Sequence, residues 1–230
     1  MGSPGPGAPP AAILAAGGIG ERARSDESSP PKQFQPLAGR AVIQWPLDAL
    51  LQAGCDPIVV VLPGRWMAHA EEVLQGSQLL FAVGGASRQE SIHNGLELVG
   101  SESVVVQDAS RPLISAELIT RVIEGLAGSD AVIAAVPMDE TLKRSDGEFV
   151  IETVDRTSIW KAQTPAAFRT SVLRDAHEKA VAEGFVGTDE AQLIERYGGR
   201  VALVPGSRRN LKITWSEDFE LAEALLKVGP

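Results

Sequence analysis

Cysteine is all but missing from this chain. Cys55 stands alone among 230 residues, so no intrachain disulfide can form and no tetracysteine zinc site exists. Its expected role is that of a buried small hydrophobe. Histidine is nearly as scarce: His69, His93 and His177 lie far apart with no ligand spacing, which points to surface or helix-face residues, not to a metal site or a general base. Positive charge is in deficit. The formal net charge of -9 argues against broad binding to nucleic acid or an anionic membrane, while a local basic site for a small phosphate stays compatible with it. Trp45, Trp66, Trp160 and Trp215 are too dispersed to build a stacking platform for nucleic acid. No apolar run approaches membrane-spanning length, and the leader MGSPGPGAPP has neither the positive segment nor the apolar core of a signal peptide. Residues 1–10 are expected to be disordered and the protein cytoplasmic. A Gly-x-Ser-x-Gly nucleophile elbow is absent, as is any internal repeat.

What remains is an ordinary globular composition, 44% hydrophobic and 22% charged, which fits one domain over residues 11–230. Its focus is the stretch AAILAAGGIGERARSDESSPPKQF, residues 11–34. Ala11 to Ala16 is a short apolar run of the kind buried in a parallel sheet, and Gly17, Gly18 and Gly20 then strip side chains from the turn. Bare amides favour an anion, with Arg22 and Lys32 as charge partners, so a nucleoside triphosphate suits the turn. A plain strand-to-loop turn with two solvated cations reads equally well from the pattern alone.

Strand and helix then alternate. Helical spacing runs over Val42–Ala53, with Pro46 tolerable in the first turn, and PIVVVL, residues 57–62, reads as a strand covered on both faces. Helices are expected over Trp66–Leu74, Ser87–Leu98, Ser115–Ala127, Thr170–Ala182 and Glu217–Leu226, and another opens at Thr188, read as its N-cap. Strands are expected at Leu79–Val83, Ser103–Gln107, Asp130–Val136, Arg200–Val204 and Asn210–Ile213. The Asp139–Glu140 and Asp189–Glu190 pairs read as exposed surface and helix start. Between 137 and 162 the alternation fails, and Asp146-Gly147 between two polar–apolar stretches reads as the turn of a projecting β arm. The fold class is therefore α/β, a Rossmann-like arrangement with a mostly parallel sheet. In such sheets ligands gather at the carboxyl ends of the strands, which places Asp108 and Arg111 at the same crevice as Gly17–Gly20. A helix cap or a mutual ion pair would explain those two residues as well.

The motifs AGGIGER with PKQF, VGGASRQESI, VQDASRP, DETLKR, VDRTSIWKAQTP, TDEAQLIERYGG, and NLKIT with EDFELAEALL occur in this order from Ala11 to Leu226. Together they resemble the 2-C-methyl-D-erythritol 4-phosphate cytidylyltransferases of non-mevalonate isoprenoid synthesis. The resemblance implies a nucleotidyltransferase fold and attack by a sugar-alcohol phosphate oxygen on the α-phosphorus of CTP, with loss of pyrophosphate. It implies that Arg22 and Lys32 stabilise the charge at phosphorus while Arg156 and Lys212 hold the attacking phosphate. Ala16, Gly17, Gly18 and Gly20 would contact the triphosphate, Gly85, Ala86, Ser91, Asp108 and Ala109 the rest of CTP. Asp108, Arg111, Thr141, Arg156, Ala162 and Thr164 would meet the acceptor. A magnesium ion on the triphosphate is implied, as is a homodimer in which the arm, with Thr141 and Arg156, serves the neighbouring site. The loop Arg24–Pro31 is expected to order on CTP binding.

Gly17, Gln107, Ser110, Ala166 and Trp215-Ser216 depart from the family pattern, but none removes a matched charge. The Ala-Gly-Gly turn is familiar from ribitol 5-phosphate cytidylyltransferases, which makes that acceptor the alternative. A nicotinamide-dependent oxidoreductase fits poorly, because Gly-Gly-Ile-Gly-Glu-Arg lacks the dinucleotide spacing. A catalytically dead binding module would have no use for Arg22, Lys32, Arg156 and Lys212 together.

Overall fold

In the computed structural model, which describes residues 8–17, 31–74 and 79–228, the first apolar run forms Ala11–Ala15 (β1) at the centre of a seven-stranded sheet. Parallel neighbours flank it: Ile58–Leu62 (β4) on one side and Ser103–Asp108 (β6) on the other. Leu79–Val83 (β5) pairs parallel with β4 as one edge of the sheet. Beyond β6 lie Trp160–Arg169 (β10), Ala131–Pro137 (β7) and the opposite edge, Val201–Pro205 (β11), giving the order β11-β7-β10-β6-β1-β4-β5. Two short antiparallel pairs stand apart: Pro36–Leu37 (β2) with Arg40–Ala41 (β3), and Leu142–Ser145 (β8) with Val150–Val154 (β9).

Side-chain alternation divides the core. Ala12, Leu14, Val60 and Val105 face one layer, covered by Gln44–Gln52 (α1), Met67–Val73 (α2) and Ala116–Glu124 (α4). Ile13, Val59, Val61, Val104 and Val106 face the other, covered by Arg88–Leu96 (α3), Thr170–Glu183 (α5) and Glu190–Arg196 (α6). Each fully buried Ile or Leu of this set contributes about 1.5–3 kcal/mol by leaving water. Gly95 brings α3 against the sheet, since a Cβ there would stand 2.8 Å from Val61 Cγ2 and 3.2 Å from Ile13 Cγ2. Glu217–Val228 (α7) closes a third, smaller cluster over the β2–β3 pair through Ala222, Leu37, Val42 and Ile213.

Most expected elements form, with Pro46 in the first turn of α1 and Ser115 capping α4 by accepting from Leu118 N. Three expectations change. Asp189, not Thr188, caps α6, its carboxylate accepting from Gln192 N at 2.9 Å. Asn210–Ile213 is no strand, because its backbone bonds the loop after β6 and not a neighbouring strand: Arg111 donates to Asn210 O and Ile213 N donates to Ser110 O. The stretch from 160 carries the antiparallel strand β10, which the sequence reading split between the arm's end and an unassigned gap. Trp160, Lys161 and Ala162 pair with Pro137, Val136 and Ala135 of β7 in the main sheet. Cys55 is buried, where desolvation pushes its thiol up to about 12. His93 and His177 are also brought together, their rings stacked 5.6 Å apart between α3 and α5.

Candidate functional site

The chain leaves β1 for β4 and β5 on one side and returns to place β6 on the other, so β1 and β6 straddle the point where the winding reverses. At such a point the strand ends part and leave a crevice. Ala15 is paired with Asp108 across it, and Ala109 N donates to Ala15 O at 3.0 Å. Ala16, buried, and Gly17, half-buried, lie at the β1 end.

Strand alternation decides which way Asp108 faces. Val104 and Val106 point to the layer of α3, α5 and α6, so Asp108, two residues on, emerges on that same side. There it meets Arg88, the first residue of α3, whose Nη2 lies 3.3 Å from Oδ1. The same guanidinium donates through Nη1 to both oxygens of Glu190, each at 2.6 Å. The other Asp108 oxygen, Oδ2, holds Lys212 Nζ at 2.7 Å and lies 3.7 Å from Arg111 Nε. Burial would push the Asp108 carboxyl up, but the charges of Arg88, Lys212 and Arg111 overcome it and hold the group well below the usual carboxylate range. Burial pushes the Glu190 carboxyl up from its usual range, and Arg88, 2.6 Å from both of its oxygens, opposes that shift. Burial lowers Arg111, yet an arginine keeps its charge at any working pH. Three cations against two carboxylates leave one positive charge in excess, and Lys212, the most exposed of the five, carries it toward solvent. That is a field suited to an anion.

A strap over residues 210–213 ties this cluster to the first loop. Lys32 Nζ donates to Ile213 O at 2.6 Å and Gln33 Nε2 to Ala16 O at 2.7 Å, so the Lys32 ammonium is anchored on the strap that carries Lys212. Asn210 is buried and donates to Thr164 O at 2.8 Å. Thr164 sits where the β10 register shifts between Gln163 and Ala166, a bulge that turns its hydroxyl to accept from Asp108 N at 3.0 Å.

On the β5 side, Ser91 Oγ donates to Ser87 O at 2.8 Å and accepts from Gly85 N at 3.1 Å. A Cβ on Gly17 would come 3.3 Å from that oxygen and one on Gly84 3.0 Å, so the two glycine turns close around one hydroxyl. Ala86 N is capped by Glu90 Oε2 at 2.7 Å.

The structure thus brings together Ala16, Gly17, Lys32, Asp108, Ala109, Arg111, Thr164 and Lys212, with Gly85, Ala86 and Ser91 at the neighbouring strand end. Gly18, Gly20, Arg22 and residues 24–30 of the expected CTP loop lie outside the described residues. Thr141 and Arg156 are not joined to the cluster within this chain: both are exposed, and Arg156 donates to Asp139 O in its own arm. Ala162 is exposed on β10. Sequence reasoning missed Arg88, Glu190 and Asn210. Arg88 lay inside a quoted motif, but nothing in its neighbours signals a partner 102 residues away.

Among the described residues, no three His, Cys, Asp or Glu side chains form a group that could hold a metal. Asp108, the carboxylate at the strand end, has both oxygens committed to cations. The described residues therefore do not fit a magnesium ion held by the protein.

The family model described as IspD, 2-C-methyl-D-erythritol 4-phosphate cytidylyltransferase, matches residues 11–228. A 2-C-methyl-D-erythritol 4-phosphate cytidylyltransferase of Bacillus licheniformis is 45% identical over 94% of this chain and 94% of its own length. The one from Syntrophus aciditrophicus is 41% identical over 94% and 95%. Among solved structures, the 4-diphosphocytidyl-2C-methyl-D-erythritol synthase of Anaerococcus prevotii superposes with a TM-score of 0.83 at 30% identity, over 95% of this chain and 98% of that one.

Proposed function

The chain belongs to the IspD family of 2-C-methyl-D-erythritol 4-phosphate cytidylyltransferases, and we propose that its crevice seats CTP along the ends of β1 and β5 and the acceptor phosphate at Lys212. The reaction transfers a cytidylyl group from CTP to 2-C-methyl-D-erythritol 4-phosphate, giving 4-diphosphocytidyl-2-C-methyl-D-erythritol and pyrophosphate in non-mevalonate isoprenoid synthesis. A phosphate oxygen of the acceptor forms a bond to the α-phosphorus as the bond to the bridging oxygen of the pyrophosphate breaks. Two anions must meet, so the cost lies in repulsion and alignment.

Lys32, half-buried beside Ile213, would face the triphosphate together with Arg22, and Lys212 would hold the attacking phosphate. Asp108 serves indirectly. Its carboxylate stays ionised at neutral pH and, 2.7 Å from Lys212 Nζ, aims that ammonium across the crevice. Pre-set cations of this kind stabilise charge that grows in the transition state without having to reorganise. Magnesium enters in this reading with CTP, on the triphosphate oxygens, as part of the substrate. Both substrates are charged phosphates that do not cross a membrane unaided, so a cytoplasmic enzyme belongs to the same proposal.

The observation that carries the site is the positive surplus around Asp108 at the reversal point of the sheet. Pyrophosphate release is to be measured with CTP and either acceptor. Turnover is expected with methylerythritol phosphate and not with ribitol 5-phosphate; the reverse would overturn the acceptor assignment.

The arm completes the proposal. Phe149, Val150 and Ile151 are each more than 60% exposed in the single chain, an apolar surface that a homodimer would cover. Thr141 and Arg156 would then reach the partner's acceptor site. Mixing Lys212→Ala and Arg156→Ala subunits, each strongly impaired alone, tests this. If the arm crosses, one site in each mixed dimer regains both cations, and about a quarter of the parental activity is expected in a statistical mixture. No recovery on mixing would place Arg156 in its own subunit's site.

A further inference from the structure

We propose that Glu190 is a positioning residue for the acceptor phosphate: by taking both bonds of one Arg88 nitrogen, it keeps that guanidinium from enclosing Asp108 and leaves Asp108 Oδ2 to orient Lys212. The proposal rests on the reading of Lys212 as the acceptor-phosphate cation.

The contacts around Asp108 are unequal. Arg88 reaches it with Nη2 alone, at 3.3 Å, and spends Nη1 on Glu190 Oε1 and Oε2, each at 2.6 Å. A guanidinium presents a fork that matches a carboxylate through two parallel bonds, so an arginine so close to Asp108 would ordinarily take both of its oxygens. Glu190 prevents this by supplying the stronger competitor. The result is a division of Asp108, with Oδ1 facing Arg88 and Oδ2 left to Lys212 at 2.7 Å.

The placement of Glu190 fits that task better than a role as surface charge. It is 3% exposed, and a buried carboxylate is tolerated only against a partner. It is the first residue of α6, where the helix field favours a negative charge, while Arg88 opens α3, where that field disfavours a positive one. Arg88 is thus held at an unfavourable helix end by Glu190 from one side and Asp108 from the other. Without Glu190, its free fork would close on Asp108 and compete with Lys212, whose ammonium on a flexible, 44% exposed side chain is the weaker holder.

The test is steady-state kinetics of Glu190→Gln, of Arg88→Gln with Glu190→Gln, and of Lys212→Ala. For Glu190→Gln the acceptor KM should rise about tenfold, with kcat falling and the KM for CTP within about twofold of the parent, since the Glu190 carboxylate bonds Arg88 and not the amides of the glycine turns. Removing Arg88 as well takes away the competitor, so the double variant should regain much of the lost acceptor affinity. A purely structural pair predicts the opposite, with the double variant at least as impaired and both substrates affected alike. That result, or an unchanged acceptor KM in Glu190→Gln, overturns the proposal. If Glu190→Gln proves too unstable to assay, Arg88→Lys keeps the charge but not the fork. With no fork left to close on Asp108, it should leave the acceptor KM within about twofold of the parent, and a rise of about fivefold or more would show that Arg88 supports the acceptor site directly and would overturn the role. Lys212→Ala separates the two levels. An unchanged acceptor KM there overturns the Lys212 reading and the positioning role with it, whereas a rise there without one in Glu190→Gln overturns the positioning role alone.

Discussion

Two arginine–glutamate contacts in this protein have the same length and opposite surroundings. Arg88 meets Glu190 at 2.6 Å in the crevice, where the glutamate side chain is 4% exposed. Arg144 meets Glu152 at 2.6 Å on the arm, where the two side chains are 61% and 53% exposed. Water solvates the arm pair before and after it forms, so little is gained by the contact. In the crevice water is excluded, the attraction is weakly screened, and either charge left alone would be stranded in a poor solvent. Contact length therefore says little about worth. Burial decides, and the chain has placed its buried pair beside the Asp108 carboxylate at the end of β6.

The sharpest way to break this comparison is to delete one arginine from each pair. Arg88→Ala strands Glu190 and is expected to cost about 3–5 kcal/mol of folding stability. Arg144→Ala should cost about 0–1 kcal/mol. Urea unfolding of the two variants beside the parent reads both numbers, and similar losses would show that burial does not set the scale here.

The same contrast explains what the sequence disclosed. The buried strands announced themselves as apolar, β-branched runs, and helix starts such as Ser115 carried their own caps, because these signals are local. Asp108 and Arg111 stood out because charge appears abruptly where an apolar strand ends. By contrast β10 was unreadable: it holds Gln163 and Thr164 at a bulge, and its antiparallel place between β6 and β7 is decided by partners far along the chain. Glu190 followed a proper N-cap and looked like any first-turn acid, so its identity as the partner of Arg88 existed only in three dimensions. The resemblance to a known family supplied an expected role for Lys212 that spacing alone could not have assigned, whereas Lys32 already stood out as a charge partner of the glycine turn.

A third region sharpens the comparison, since it buries a titratable ring without an ion-pair partner among the described residues. His177 is fully buried on α5, stacked on His93 of α3, and neither of its ring nitrogens has a hydrogen-bond partner among the described residues. Burial, then the proximity of His93 and of Arg88, pushes it down to about 4. In the unfolded chain the same ring titrates near 6.5. The folded protein therefore keeps His177 neutral where the unfolded chain takes up a proton. Its contribution to stability is fully present above about 6.5 and is lost as the pH falls from there to about 4, on the order of 3 kcal/mol in all. Asp108 behaves differently: its lowered carboxyl supports the fold above the ordinary carboxylate range, and that support is lost only as the pH falls below about 4. Denaturant unfolding from pH 7 to pH 3 should thus show two successive losses. His177→Met should remove the first and keep the second. A variant that still weakens between pH 6.5 and pH 4 as the parent does would assign that loss to other groups, and would show that an unpaired ring in this seam is cheaper to charge than its burial requires.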